Sequence, residues 1–415
     1  MKTLTIREWQ ALAVSDPKGW KQTLAAAIAD CIEKNGTSVI SATMLDACEP
    51  TPGGLSGVPY AVKDLFDVAG KPSHNSSILP KLLEHPADKS ADLVKRMAEL
   101  GGSCAVKTQM NEFAYGLSGE NPHYGDCAHP HLEGCLSGGS SSGSAHAVAA
   151  GYLPLAFGTD TGGSIRLPAA WCGIYGIRWS PHYFMEGGFP LAPSFDAMGW
   201  FTKTNEDMAL MLQVWFRQSV DVVDHTLRGG YFLPEEMMSP ETYEAVDRFV
   251  QRLKLSEIDE CSSLHALLAK SQKAFNVLQS REALAIHEKW LEHSAALYDP
   301  QVKARILRAR EWSDAEITQA DETVVLVRRW FSKYFENHDF LAMPICPGPS
   351  VPVGEANPEL REQTLQLTTP ASLAGLPALT VPIWLDSART VGVQFIFKEV
   401  APAVPAAILE LCKSI

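Results

Sequence analysis

The chain is 415 residues long, 46% hydrophobic and 20% charged, an ordinary globular mixture that excludes a mainly disordered or fibrous protein. Lys and Arg number 35 against 48 Asp and Glu, a net charge of −13, and with no basic run to neutralise a phosphate backbone, nucleic acid is not an expected partner. Arg7, Glu8 and Asp16 interrupt the amino-terminal stretch where a secretory signal needs an apolar run, no stretch of about 18 apolar residues follows, and nine scattered cysteines without a C-x-x-C pair fit reduced thiols, so the expectation is a cytoplasmic protein with no membrane span.

From residue 20 onward, helix-like and strand-like segments alternate. Leu24, Ala27, Ile28 and Cys31 recur at helical spacing within 20–34, and the apolar run 58–62 reads as a buried strand. Ser90 is placed as the cap of a helix with Leu93, Val94, Met97 and Leu100 on one face, ended by Gly101, after which Ala105 and Val106 open an extended piece. Residues 142–150 suit a helix stopped by Gly151, and 153–157 a central strand. Between about 205 and 335 long amphipathic helices take over, among them 205–218 and one opened by Ser313 with Glu316 as a capping box. Strand-like pieces return at 340–343, 379–383 and 391–397. The reading is an α/β fold: one three-layer α/β/α domain over 1–415 with a central mixed sheet. The sheet begins in a core at about 55–200, is interrupted by a mostly helical insertion at about 205–335, and is completed at about 338–400.

Two segments, 137–144 (SGGSSSGS) and 158–166 (GTDTGGSIR), have backbone able to bend tightly and aim several N–H groups at one point. A nucleophilic serine loses its proton as it attacks, and the oxyanion it creates needs preorganised donors. Ser164 is the candidate hydroxyl, and the N–H groups of Thr161, Gly162, Gly163 and Ser164 are the candidate oxyanion hole. Lys63, ending the 58–62 strand, is the candidate base, because desolvation lowers a lysine's pKa and a neutral amine accepts a proton. The plainer alternatives are two flexible loops and a lysine that snorkels to water.

GVPYAVKD (57–64), SGGSSSGSA (137–145) and GTDTGGSIRLPAAWCGIYGIR (158–178), in this order and with Ser140 and Ser164 separated by 24 positions, resemble the amidase signature family. NEFAYGLSGENPHYG (111–125), APSFDAMGWF (192–201), FLAMPICPGP (340–349) and PASLAGLPALTVPI (370–383) extend the likeness over most of the chain. The resemblance implies a Ser-cisSer-Lys triad with Lys63 as base, Ser140 as the bridging serine in a cis peptide and Ser164 as nucleophile. It also implies an acyl-enzyme and no metal or cofactor. The chain is most similar to short indole-3-acetamide hydrolases and to carboxybiuret hydrolases. The expected partner is therefore a small-molecule amide, either an arylacetamide or a urea-derived amide such as carboxybiuret or allophanate. A further alternative is the amidase component of a larger amidotransferase complex.

Tyr115, Asn121, Gly139 and Ser141 are the candidate substrate contacts, and Asp160 and Arg166 are expected to hold the nucleophile loop by pairing with each other or with backbone. Phe113, Tyr115, Tyr183, Phe184 and Phe189 would suit an aryl acyl group or else pack the core. Ser137 stands where relatives carry proline.

Residues 139–143 also fit G-x-S-x-G with Ser141 attacking, but no hydrophobic strand precedes them. His123, Asp126, Cys127, His129 and His131 are potential metal ligands, yet their spacing matches no metal motif and Pro122, Gly125 and Pro130 make the segment a loop. A homodimer is the commonest assembly for an enzyme of this kind.

Overall fold

The computed structural model describes residues 3–83, 85–217 and 227–413. A mixed sheet runs through them, built of β1 (Ile40–Thr43), β2 (Pro59–Lys63), β3 (Ser103–Thr108), β4 (Leu155–Asp160), β5 (Tyr175–Arg178), β6 (Ala197–Thr202), β7 (Gly229–Tyr231), β8 (Ser256–Glu257), β9 (Phe340–Pro344), β10 (Ala378–Trp384) and β11 (Thr390–Phe397). Its strand order is β1-β3-β2-β4-β6-β5-β10-β11-β9-β7-β8.

β2 lies parallel to both β3 and β4, whereas β4, β6, β5, β10, β11 and β9 run antiparallel, each to the next. Every residue of β2, β4, β6 and β11 is buried. These strands are covered on both faces, which is why they read as unbroken apolar runs rather than alternating ones. The helix Pro17–Asn35 buries Leu24, Ala27, Ile28 and Cys31, the set picked out by spacing, and Trp20 besides. The helix Ser142–Ala149 is wholly buried and packs on β4 and β2. Only small residues allow that approach, since a Cβ on Gly143 would lie 2.4 Å from the Val39 carbonyl oxygen.

Several expectations shift. Ser90 does not cap the helix Asp92–Glu99; Ala91 occupies that position without a side-chain bond, and Ser90 Oγ instead accepts the Ala69 N–H at 3.0 Å. The strand placed at 153–157 is set later, so that it ends on Asp160. The Ser313–Glu316 capping box forms, and 205–335 is mostly helical, yet β7 and β8 from this region extend the sheet beyond β9. The helix expected at 205–218 is observed as Asn205–Phe216, with Gln218 outside the described residues. No helix among the described residues is long and apolar enough to cross a membrane.

Candidate active site

Because β2 and β4 are parallel neighbours, their carboxyl ends lie side by side and present Lys63 next to the loop that carries Ser164. The segment 137–141 threads between them. Ser141 N–H donates to the Ser164 carbonyl at 3.3 Å, and the Gly139–Ser140 peptide bond is cis. Lys63 Nζ donates to Ser140 Oγ at 2.7 Å and to Thr159 Oγ1 at 2.9 Å. Lys63 and Ser140 are fully buried, and Ser164 is 3% exposed. Burial pulls the Lys63 pKa down to about 7, against the upward pull of Asp196 and Asp160 at longer range.

The loop after β4 is wound around one carboxylate. Asp160 accepts the N–H groups of Gly163 (2.8 Å), Ile165 (3.1 Å) and Arg166 (3.2 Å). Its oxygens also face the Arg166 and Arg178 guanidiniums at 2.8 and 3.1 Å. Burial alone would push the Asp160 pKa up, but the two guanidiniums and the loop donors hold it well below the ordinary carboxylate value. Arg166 reaches on to the Thr368 carbonyl and Gln394 Oε1, both at 2.7 Å, and Thr368 Oγ1 donates to the Gly162 carbonyl at 2.6 Å. Gly163, at φ +136°, occupies a conformation that favours glycine. Its N–H is taken by Asp160, which removes it from the four expected oxyanion donors. Among the described residues the N–H groups of Thr161, Gly162 and Ser164 have no partner.

A cleft of about 350 Å³ opens beside the helix that follows Ser164, and Lys63, Ser140 and Ser164 are not among the residues that line it. Leu117, whose carbonyl accepts the Gly139 N–H at 2.7 Å, forms part of its wall, as do Leu167 and Trp171 on the helix that follows Ser164 and Thr364 on the helix Pro358–Ala374. Arg305, Arg308 and Arg361 also line it.

The family model described as Amidase matches residues 21–401. The chain belongs to the amidase signature family. Relatives include "Amidase 1" of Oryza sativa subsp. japonica, 29% identical over 82% of this chain and 86% of that one. A glutamyl-tRNA(Gln) amidotransferase subunit of Akkermansia muciniphila is 32% identical over 79% of each. A crystal structure of an amidase superposes with a TM-score of 0.87 at 26% identity, covering 99% of both chains. A chain from a structure described as a vestigial protein complex that reveals the evolutionary origins of an s-triazine catabolic enzyme gives 0.86 at 25%, over 99% of this chain and 98% of that one.

Within this amidase-family chain the expected substrate contacts divide. Gly139 stands in the cis peptide, where a Cβ would lie 2.1 Å from Asn111 Oδ1. Tyr115 is buried, and its phenol feels the charges of Arg361, Arg305 and Arg308. Asn121 is consumed locally: Nδ2 donates to the Ser76 and Met110 carbonyls and Oδ1 accepts from the His123 and Tyr124 N–H groups. Ser141 Oγ is likewise bound to the Thr159 backbone. Phe113, Tyr183 and Phe184 pack against other rings, and none of the five named aromatics lines the cleft. His129 and His131 bond to the backbone of Trp171 and Ala149. Among the described residues no group of three His, Cys, Asp or Glu is placed to hold a metal ion. Ser137 N–H donates to the Cys127 carbonyl at 2.9 Å, a bond that proline could not make. Thr159, Arg178 and Asp196 were missed as site residues although all three fall inside the family motifs. The signal available was a polar residue inside an apolar strand for Thr159 and at the end of one for Arg178; Asp196, just before β6, accepts the Thr161 hydroxyl at 2.6 Å and carries no such pattern.

Proposed function

We propose that the chain hydrolyses the C–N bond of a small-molecule amide through an acyl-enzyme on Ser164, with Ser140 bridging to Lys63. The supporting observation is the Lys63 amine, buried 2.7 Å from Ser140 Oγ with its pKa brought to about 7, where a general base works best. Neutral Lys63 takes the Ser140 proton while Ser140 takes that of Ser164, and Ser164 Oγ adds to the amide carbon. The oxyanion accepts from Gly162 and Ser164 N–H. Collapse expels ammonia or an amine, which receives the proton back from Lys63 through Ser140. Water, activated along the same relay, then releases the carboxylate. The nine cysteines, all free thiols, favour a reducing cytoplasm as the setting.

The test is ammonia release by the purified protein from indole-3-acetamide, phenylacetamide, malonamate, allophanate, biuret, carboxybiuret and glutamine, with Ser164→Ala as control. Turnover of at least one amide that vanishes in Ser164→Ala supports the proposal; equal release by the variant overturns it. Relatives named as amidotransferase subunits favour a second reading, an amidase component of a larger complex. Robust turnover by the isolated chain would count against that second reading.

A further inference from the structure

Three guanidiniums from two distant segments converge on the cleft beside the catalytic loops. Arg305 and Arg308 come from the segment 300–310 and Arg361 from the first turns of the helix Pro358–Ala374. They are close enough for Arg305 and Arg308 to depress the Arg361 pKa, which burial and this repulsion together bring to about 9. None of the three is in an ion pair among the described residues, although the chain carries a net charge of −13. Arg310, in the same segment, does have a partner, Glu288 at 3.3 Å. Arg361 Nε is buried with no hydrogen-bond partner. Two carboxylates, Glu120 and Glu362, also line the cleft, but Glu120 is engaged by Ser118 Oγ at 2.6 Å and neither lies within ion-pair distance of an arginine. Asp299 and Glu120 act on Arg305 and Glu362 on Arg361 only at longer range, so like charges are gathered in a half-buried cleft without a direct ion pair, an arrangement that an anionic ligand would favour.

We propose that the amide substrate carries a carboxylate, and that Arg305, Arg308 and Arg361 seat it in this cleft. This rests on the amide-hydrolase reading above. Guanidiniums present paired donors matched to a carboxylate, and one of them is fixed in advance: Arg305 donates to the Tyr115 carbonyl at 2.5 Å and to Gln301 Oε1 at 2.8 Å. The remaining walls are tied to the reacting loops through Leu117, Leu167 and the Thr368–Gly162 bond. On this proposal a compact molecule anchored by its anionic end extends from the cleft toward Ser164, which lies three residues before the lining residue Leu167. Trp171 is the one aromatic residue in the lining, which speaks against an aryl-filled cleft.

The first arm compares kcat/KM for malonamate and succinamate with that for the neutral malonamide and succinamide. The charged member of each pair is expected to be favoured at least 100-fold. That ratio should collapse at least tenfold, through KM, in Arg361→Gln and in Arg308→Gln, but not in Arg310→Gln, which removes the same charge outside the cleft. Allophanate and glutamine, tested alongside, distinguish a carboxylated urea or an amino-acid amide from a simple dicarboxylic monoamide. The second arm needs no turnover: malonate or succinate should raise the melting temperature of Ser164→Ala, and Arg361→Gln should weaken that binding at least tenfold. Brisk hydrolysis of neutral amides with no carboxylate binding would overturn the anion site and leave the hydrolase intact. Carboxylate binding abolished by Arg361→Gln, with no amide turned over, would uphold the anion site and sink the hydrolase reading.

Discussion

Lys63 Nζ lies 2.7 Å from Ser140 Oγ and 2.9 Å from Thr159 Oγ1, and among the described residues no carboxylate is in ion-pair reach and these two hydroxyls hold the buried amine. Lys107 on the neighbouring strand makes the contrast. It is equally buried, but it sits 3.0 Å from Asp64 Oδ1. A hydroxyl can accept from an ammonium or donate to a neutral amine, so the contacts of Lys63 fit either protonation state.

From that environment a pH profile follows. With the Lys63 pKa near 7 and the neutral amine as base, kcat/KM rises about tenfold per pH unit below 7 and levels off above it. A rate profile on any turned-over amide checks this. A rate that is flat from pH 5 to 9 would exclude Lys63 as the base.

Lys63→Met should be inactive and yet more stable. The native pKa lies below the unfolded one near 10.5, so the unfolded chain binds the extra proton. The resulting penalty is absent above pH 10.5, grows as pH falls toward 7, and is constant below. After allowance for the lost hydroxyl contacts, the variant gains roughly 1–3 kcal/mol at pH 7, and the gain shrinks as pH rises. Urea titrations at pH 6.5 and 9.5 measure it; a variant less stable than wild type at both would contradict a neutral buried lysine.

Ser164→Ala and Ser140→Ala separate nucleophile from relay. Loss of the nucleophile should reduce turnover to background with the melting temperature little changed. Loss of the bridging hydroxyl should lower kcat by about 10²–10⁴. Retention of burst-phase acyl-enzyme formation in Ser164→Ala would place the nucleophile elsewhere.

Asp160→Asn strands the buried Arg166 and Arg178 without their shared counter-charge. Removing one member of such a cluster costs about 3–5 kcal/mol, read as a drop in the urea midpoint. A loss under about 1 kcal/mol would show that the loop is held from elsewhere, for instance by the Arg166–Gln394 bond.

The strands covered on both faces, such as β2, β9 and β11, are legible because burial demands unbroken apolar runs. β7 and β8 are not, since three and two residues, most of them partly or wholly exposed, leave no period to detect. Lys63, Ser140 and Ser164 stand out because each sits in a contiguous run whose glycines and serines serve the backbone. Counting N–H groups along 161–164 could not reveal that Asp160 takes the one from Gly163. Asn121 and Ser141 look like substrate ligands by proximity to the motifs, yet each is fully occupied by nearby backbone. The arginine cluster was invisible for a different reason: Arg308 and Arg361 meet only because two helices of the last third of the chain fold over the same loops.

The placement of β10 beside β5 sets an order of events on the ribosome. Arg178 closes the catalytic loop by donating to Ser372, 194 residues further along, and Arg166 waits for Gln394, 228 residues away. Until β10 emerges, β5 has an open edge and two arginines lack part of their shell. A nascent chain halted anywhere in the helical region thus carries every catalytic side chain but not the scaffold that aligns them, and the competent site assembles only after β10 and β11 have been made.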